Sequence, residues 1–120
     1  MRIAIAEDET LPAITLQAGL LRSGYDVLRP VATGRGMLEL ARHEKIDAVI
    51  MDINLRGEVK GIEAAEQLKN INPDLKVIFV TGYEDQTSYE KAMKLKPAGF
   101  IRKPFMINDI TAVLEEISSS

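Results

Sequence analysis

Residues 49–55 read Val49-Ile50-Met51-Asp52-Ile53-Asn54-Leu55, an apolar run that carries one carboxylate. A short apolar run of this kind is typical of a strand that is buried on both faces of a sheet. Burying an unpaired charge costs several kcal/mol or shifts its pKa by a few units. Asp52 therefore either caps a helix or belongs to a site at the end of the strand.

The chain on both sides of this run alternates short apolar runs with longer segments of helical period. Strands are predicted at Arg2–Ala6, Tyr25–Val31, Ala48–Met51, Lys76–Thr81 and Gly99–Arg102. Helices are marked by apolar residues at helical spacing, namely Leu11, Ile14, Ala18 and Leu21; Met37, Leu38 and Ala41; Ile62, Ala65 and Leu68; Tyr89, Ala92 and Met93; and Ile107, Ile110, Val113, Leu114 and Ile117. Thr10 is predicted to cap the first helix and Gly24 to follow its end. The alternation predicts an α/β fold with a parallel sheet covered on both faces.

The composition is that of one globular domain. The chain has 120 residues, of which 46% are hydrophobic and 28% charged. We expect the domain to span residues 1–117, with residues 118–120 as a tail or the start of a linker, so that the natural protein is either this domain alone or a longer chain of which this is a fragment. The absence of cysteine excludes disulfides and thiolate metal sites and is compatible with a cytoplasmic location, which we expect. A net charge of −3 argues against direct nucleic-acid binding, and no apolar run is long enough for a membrane span.

Charged and polar residues follow the predicted strands directly. Glu7, Asp8 and Glu9 follow the first, Asp52 the third, Thr81 the fourth and Lys103 the fifth. The carboxyl ends of parallel strands meet at one edge of a sheet, where ligands bind, so these residues are expected to lie together. Asp52 is not a helix cap, because the next helix does not begin until about Gly61.

The chemistry of this set is that of phosphoryl transfer. Glu7, Asp8 and Asp52 offer only oxygen ligands, which suits a hard divalent cation, and Mg²⁺ in particular because it needs few protein carboxylates. Lys103 supplies a compact positive charge for phosphate oxygens and Thr81 a hydroxyl donor. A carboxylate can itself be the nucleophile and form an aspartyl phosphate.

With these residues in this order, the chain resembles the receiver domain of two-component response regulators from about Met1 to Ile117. The resemblance rests on Glu7-Asp8, on Asp52 at the end of AVIMD, on VTG at residues 80–82, on Phe100, and on Lys103-Pro104-Phe105. It implies a doubly wound, flavodoxin-like sheet in the order 2-1-3-4-5 with five helices. It also implies a signalling domain that catalyses only its own phosphorylation and dephosphorylation.

The resemblance further implies a role for each matching residue. Asp52 would accept the phosphoryl group from a histidine kinase or histidine phosphotransfer protein. Mg²⁺ would be bound by Asp8, Asp52 and the backbone carbonyl of Asn54, with Glu7 acting directly or through water. Thr81 and Lys103 would contact the phosphoryl oxygens. The remaining implications are a cis Lys103-Pro104 peptide and Phe100 as an aromatic switch. Glu7 stands where aspartate is commoner in the family, and Phe100 where many members have tyrosine.

Phosphorylation would bias the loop Thr81–Glu84 and the face formed by the fourth helix, fifth strand and fifth helix. That face would bind a downstream protein partner or output domain. It would also support a phosphorylation-dependent homodimer if the basic residues Lys91, Lys94 and Lys96 meet the acidic residues Asp109, Glu115 and Glu116. His43, the only histidine, is interpreted as a solvated side chain of the second helix.

Two alternatives stay open on the sequence. A phosphatase of the haloacid dehalogenase type also uses an aspartate nucleophile, but it requires a second aspartate two positions on, where this chain has Asn54, and it places its nucleophile on the first strand. A pseudo-receiver would be an interaction module without phosphorylation, and failure to bind Mg²⁺ at millimolar concentration would favour it.

Overall fold

The computed structural model describes residues 1–82 and 86–119. Within these residues five strands alternate with five helices. The strands are β1 (Arg2–Ala6), β2 (Asp26–Val27), β3 (Ala48–Asp52), β4 (Lys76–Thr81) and β5 (Gly99–Arg102). The helices are α1 (Thr10–Arg22), α2 (Gly34–His43), α3 (Gly61–Ile71), α4 (Gln86–Lys94) and α5 (Ile107–Ser119). The strands form one parallel sheet in the order β2-β1-β3-β4-β5, which confirms the predicted fold and strand order.

Helices cover both faces of the sheet and create two hydrophobic cores. The core against α2, α3 and α4 includes Met37, Leu68, Phe79 and Ala92. The core against α1 and α5 includes Leu16, Leu20, Ile78, Ile110 and Leu114. Successive side chains of a strand point to opposite faces, so Ile78 and Phe79 enter different cores. This is why the apolar runs of β3 and β4 are continuous.

The helix α1 is confirmed, but the apolar residues that mark it in the sequence do not form its buried face. Leu11, Ile14 and Leu21 are 75%, 53% and 50% exposed. The buried residues of the helix are instead Ala13, Leu16, Gly19 and Leu20. Both stripes have helical spacing and lie on opposite sides of the helix, so periodicity could not distinguish them. Packing between helices determines which side is buried, because a Cβ at Gly19 would lie 2.8 Å from Cδ1 of Ile107 on α5. The absent side chain lets α5 approach α1 closely.

Several boundaries also differ from the prediction. β2 is shorter than Tyr25–Val31 because Pro30 has no N–H to continue the ladder. Leu28 N donates to Ile3 O at 2.9 Å, and the next bond to β1 comes from Val31 N to Ile5 O at 2.9 Å, one residue late. The α1 N-cap is Glu9, and Thr10 is already helical.

The ends of two other elements extend beyond their predicted limits. β3 continues through Asp52, which pairs with Val80. α5 continues through Ser119, where the Ser118 and Ser119 hydroxyls donate to carbonyls one turn earlier. In the predicted switch loop, residues 83 and 84 lie outside the described residues, as does residue 120 of the predicted tail. None of the helices in the described ranges has the length and apolarity needed to cross a bilayer.

Candidate functional site

The carboxyl ends of β1 and β3 bring three carboxylates to one point. Glu7 and Asp8 follow β1, and Asp52 is the last residue of β3. One carboxylate oxygen from each of the three lies within 4.8 Å of the others. The topology explains this meeting, because Ala6 pairs with Met51 and so places the next residue of each strand at the same edge.

Lys103 joins this cluster from the segment after β5. Its Nζ donates to Glu7 Oε1 at 2.6 Å and to Asp52 Oδ2 at 2.9 Å. Glu7 and Asp52 are only 8% and 6% exposed, so the ammonium group compensates charges that have lost most of their contact with water. The carboxylate in the middle of an apolar run is therefore paired.

Backbone N–H groups hold the other carboxylate oxygens. Asn54 N donates to Asp52 Oδ1 at 2.9 Å, and Glu9 N donates to Glu7 Oε2 at 3.1 Å. Each carboxylate is thus fixed by one bond to lysine and one to its own chain two residues on. These bonds orient both acids before any ligand arrives.

The fourth strand ends at the same edge. Thr81 is the last residue of β4 and is 2% exposed, and its carbonyl accepts a bond of 2.8 Å from Lys103 N. A cleft of about 720 Å³ opens here. Its lining includes the acidic cluster, Asn54, Gly82, Lys103 and, on its apolar side, Leu11, Pro12 and Phe105. The structure therefore gathers Glu7, Asp8, Asp52, Asn54 and Lys103 at one cleft, with Thr81 beside it.

Burial and charge act in opposite directions on the ionisable groups of the cluster. Burial raises the pKa of Glu7 above its ordinary value of 4.5; the bonds from Lys103 and from Glu9 N–H offset only part of this, and the charge of Asp52 adds to it. Burial alone would lower the pKa of Lys103, but the bonds and charges of Glu7 and Asp52 outweigh it, so that pKa lies above 10.5. Lys103 therefore stays positively charged at neutral pH, and the three acids outnumber it.

The raised pKa of Glu7 predicts a pH dependence of stability. The folded state holds the Glu7 proton more tightly than the unfolded state, so this contribution is present below pH 4.5 and is lost as pH rises through the folded pKa. Glu7→Gln keeps the neutral form at every pH. We expect this variant to be at least as stable as wild type near neutral pH without Mg²⁺, and to lack this decline.

Urea denaturation across a pH series in EDTA measures the effect as the difference between the two stability curves. Glu9→Gln is the matched control, because Glu9 is an exposed neighbour on the same segment. It should follow the wild-type curve. A decline in Glu7→Gln equal to that of wild type would contradict the assignment.

The segment between β3 and α3 is fixed by a close approach of the helix. Gly61 N donates to Ile53 O at 3.1 Å, and a Cβ at Gly61 would overlap the carbonyl oxygen of Asp52 and lie 2.8 Å from Ile53 Cα. Gly57 has φ +96°, a conformation that favours glycine. The sequence placed the start of the next helix at about Gly61, whereas the need for space at this residue is visible only in the structure.

Gly61→Ala should therefore destabilise the fold by about 1–3 kcal/mol or more, because the clash is with backbone rather than with a flexible side chain. It should also displace Asn54 and weaken any binding at the cluster. Gly82→Ala is the control, since its nearest contact would be Lys103 Cδ at 3.6 Å, an ordinary distance. Chemical denaturation measures both variants, and equal effects would contradict the prediction.

Comparison with known proteins identifies the family. The family model described as response regulator receiver domain matches residues 3–115. The chain is a response regulator receiver domain. This agrees with the resemblance drawn from Glu7-Asp8, Asp52, Thr81 and Lys103-Pro104, and it removes the support for a haloacid dehalogenase fold.

Relatives and solved structures match nearly the whole domain. The chemotaxis protein CheY of Thermotoga maritima is 29% identical over 117 residues, covering 98% of this chain and 97% of that protein. A CheY-like receiver domain from Methanospirillum hungatei has a TM-score of 0.90 at 27% identity, covering 96% of this chain and 90% of its own. A Burkholderia pseudomallei response regulator, solved with a phosphorylated aspartic acid, calcium ion and citrate, has a TM-score of 0.85 at 27% identity, covering 98% and 71%. Other curated relatives are longer, and this chain spans 55% of one and 25% of another.

Two further features of the receiver domain involve β5 and the segment after it. The Lys103-Pro104 peptide is cis, as the resemblance implied. The partly buried ring of Phe100 meets that of Tyr89 on α4 edge to face, with centroids 5.0 Å apart and planes at 80°. Phe100 therefore links β5 to α4.

The donor set of the receiver domain fits a hard divalent cation. The three acids offer carboxylate oxygens within 4.8 Å of one another, and the Asn54 segment lines the same cleft. With all groups ionised, the acids of the cluster outnumber the single ammonium of Lys103. One residue near the cluster was missed by sequence reasoning: Arg56, whose Nε lies 3.5 Å from Asp8 Oδ2. A loop arginine carries no spacing signal that could have identified it.

Proposed function

We propose that this receiver domain accepts a phosphoryl group on Asp52 in a Mg²⁺-dependent reaction and thereby acts as a signalling switch. The observation that carries the proposal is the convergence of Asp52, Glu7, Asp8 and Lys103 at one cleft. The Burkholderia pseudomallei regulator, solved with a phosphorylated aspartic acid and a calcium ion, supports it by similarity.

Each residue has a distinct task in the proposed reaction. A carboxylate oxygen of Asp52 forms the new P–O bond while the P–N bond of a phosphohistidine donor breaks, and the imidazole keeps the electron pair and takes up a proton. Lys103, already bonded to Asp52, neutralises charge on the phosphoryl oxygens. Thr81, at the end of β4, donates its hydroxyl to one of them. Asp8, Asp52 and the Asn54 carbonyl, with Glu7 directly or through water, would hold Mg²⁺, which supplies positive charge against the same oxygens.

The direct test is incubation of the purified chain with phosphoramidate, a small phosphodonor. Mass spectrometry should show a gain of one phosphoryl group with Mg²⁺ and none with EDTA. The same reaction decides between a switch and a pseudo-receiver, because a pseudo-receiver would show neither phosphorylation nor Mg²⁺ binding. Self-catalysed loss of the phosphoryl group would follow as a slow return to the original mass.

The proposed phosphodonor is a histidine kinase or histidine phosphotransfer protein. The cleft is bounded on its apolar side by Leu11, Pro12 and Phe105, and the exposed stripe of α1 continues from it through Ile14 to Leu21. An apolar face that starts at the acceptor suits a protein donor, which must bring its histidine into the cleft while it packs against the rim.

Leu11→Gln combined with Ile14→Gln should therefore slow phosphoryl transfer from a histidine kinase that phosphorylates the wild type, by about tenfold or more, through loss of apolar contact. Phosphorylation by phosphoramidate should be unchanged, because glutamine adds no charge and the cluster is intact. Ile71→Gln is the matched control, since Ile71 is 56% exposed at the end of α3. Equal slowing with both donors, or none with the kinase, would contradict the assigned face.

The remaining partners and the domain limits are also proposals. We assign the domain to residues 1–117, supported by the family match over 3–115, and note that α5 itself runs to Ser119. Lys91, Lys94 and Lys96 are exposed, as are Asp109, Glu115 and Glu116. Their opposite charges support a phosphorylation-dependent homodimer or a charged downstream partner, which stays a prediction. His43 is exposed and contacts Glu39 at 3.0 Å, in agreement with a solvated side chain.

A further inference from the structure

Arg56 is a cation beside Asp8, one of the three acids of the cluster. Its Nε lies 3.5 Å from Asp8 Oδ2. The arginine side chain is 78% exposed, whereas that of Asp8 is 13% exposed. Among the described residues, Lys103 pairs with Glu7 and Asp52, whereas Asp8 pairs with Arg56.

The backbone of Arg56 is held in place by its neighbours. Arg56 forms a parallel β-bridge with Thr33, the residue that caps α2 through a bond of 2.9 Å from Gly36 N to its Oγ1. Gly57 follows with φ +96°. The close packing of Gly34 against the Val59 backbone fixes the same segment to α2. The base of the arginine side chain is therefore anchored, while its guanidinium group remains at the surface.

We propose that Arg56 is a built-in counterion of Asp8 that lowers the affinity of the acidic cluster for Mg²⁺. This inference rests on the proposed function, in which Asp8 is a ligand of the cation. A divalent cation at Asp8 must replace the guanidinium contact or tolerate a positive charge beside it, and both effects oppose binding. Because the guanidinium is solvated, the effect is moderate rather than prohibitive.

The test compares Mg²⁺ binding by the metal-free full chain and its variants, measured by calorimetric titration with Mg²⁺ alone. Arg56→Gln should bind Mg²⁺ about three- to tenfold more tightly than wild type, because it keeps a polar side chain and removes the charge. Arg35→Gln is the matched control. It removes the same charge from a similarly exposed arginine whose partner, Glu58 at 3.8 Å, is 93% exposed and lies outside the cluster. Its affinity should stay close to that of wild type.

A second measurement distinguishes an electrostatic effect of Arg56 from a change in the conformation of its loop. Between about 0.1 M and 1 M KCl the Debye length falls from about 10 Å to 3 Å, so the difference between Arg56→Gln and wild type should narrow markedly. A difference caused by rearrangement of the loop would persist. Thermal denaturation without Mg²⁺ should place both variants near wild type.

The outcomes are distinct for the two proposals. If wild type binds Mg²⁺ and Arg56→Gln binds it equally or more weakly, the counterion role of Arg56 is wrong while the proposed function stands. A tightening that Arg35→Gln reproduces, or that salt does not reduce, also overturns it. If wild type binds no Mg²⁺ at millimolar concentration, the proposed function fails, and the role of Arg56 fails with it.

Discussion

Asp52→Asn should abolish phosphorylation by phosphoramidate in the presence of Mg²⁺. Asparagine has nearly the same shape and can keep the bond from Asn54 N, but its amide oxygen is a poor nucleophile and carries no charge. The bond from Lys103 to Glu7 remains, so the fold should persist. Mass spectrometry should show no phosphoryl gain, and circular dichroism should be close to that of wild type.

Asp74→Asn provides the matched control. Asp74 is an exposed aspartate in the turn before β4, far along the chain from the cluster, and its variant should be phosphorylated as wild type is. Beryllofluoride, a phosphate mimic, should bind wild type and Asp74→Asn but not Asp52→Asn. Undiminished phosphoryl uptake by Asp52→Asn would remove this residue from the mechanism.

Lys103→Met should have the largest effect on stability among substitutions at the cluster. It leaves Glu7 and Asp52, both more than nine-tenths buried, without the ammonium that bonds to them. Breaking a buried ion pair costs about 3–5 kcal/mol, and the partial exposure of the lysine reduces this here to about 2–4 kcal/mol. The loss should be greatest in EDTA, and Mg²⁺ should restore part of it by supplying the missing positive charge.

Urea denaturation with and without Mg²⁺ measures both parts of this prediction. The stabilisation by Mg²⁺ should be larger in Lys103→Met than in wild type, while phosphorylation should be slower because the phosphoryl oxygens lose a partner. Lys91→Met, at an exposed lysine of α4, should change neither quantity. Wild-type stability of Lys103→Met in EDTA would show that the two ion pairs contribute nothing to folding.

The sheet and the meeting of the acids were predictable because both follow from general rules. Apolar runs such as Val77–Val80 indicate strands buried on both faces, and the carboxyl ends of parallel strands share an edge. Glu7 and Asp52 could therefore be brought together without knowing any side-chain position. Their distances to Lys103 could not, since the lysine reaches them from the segment after β5, whose path the sequence pattern does not give.

The features that the sequence did not give, and the wrong bounds of β2, have equally physical causes. α1 carries apolar residues on two sides, and only the contact between Gly19 and Ile107 shows which side is buried. β2 ends early because Pro30 has no backbone N–H, although the residues around it have the pattern of a strand. The ion pair of Arg56 with Asp8 depends on the path of a loop, which periodicity does not describe.

The brevity of β2 also bears on how copies of this protein can meet. β2 and β5 are the outer strands of the sheet; β2 has two residues, and β5 has four and is soon followed by Pro104. Short edge strands near prolines offer another chain few unpaired backbone N–H and C=O groups. Folded proteins limit aggregation through sheet edges in this way. Self-association of this chain should therefore proceed through helical surfaces and stay reversible, as a switch requires.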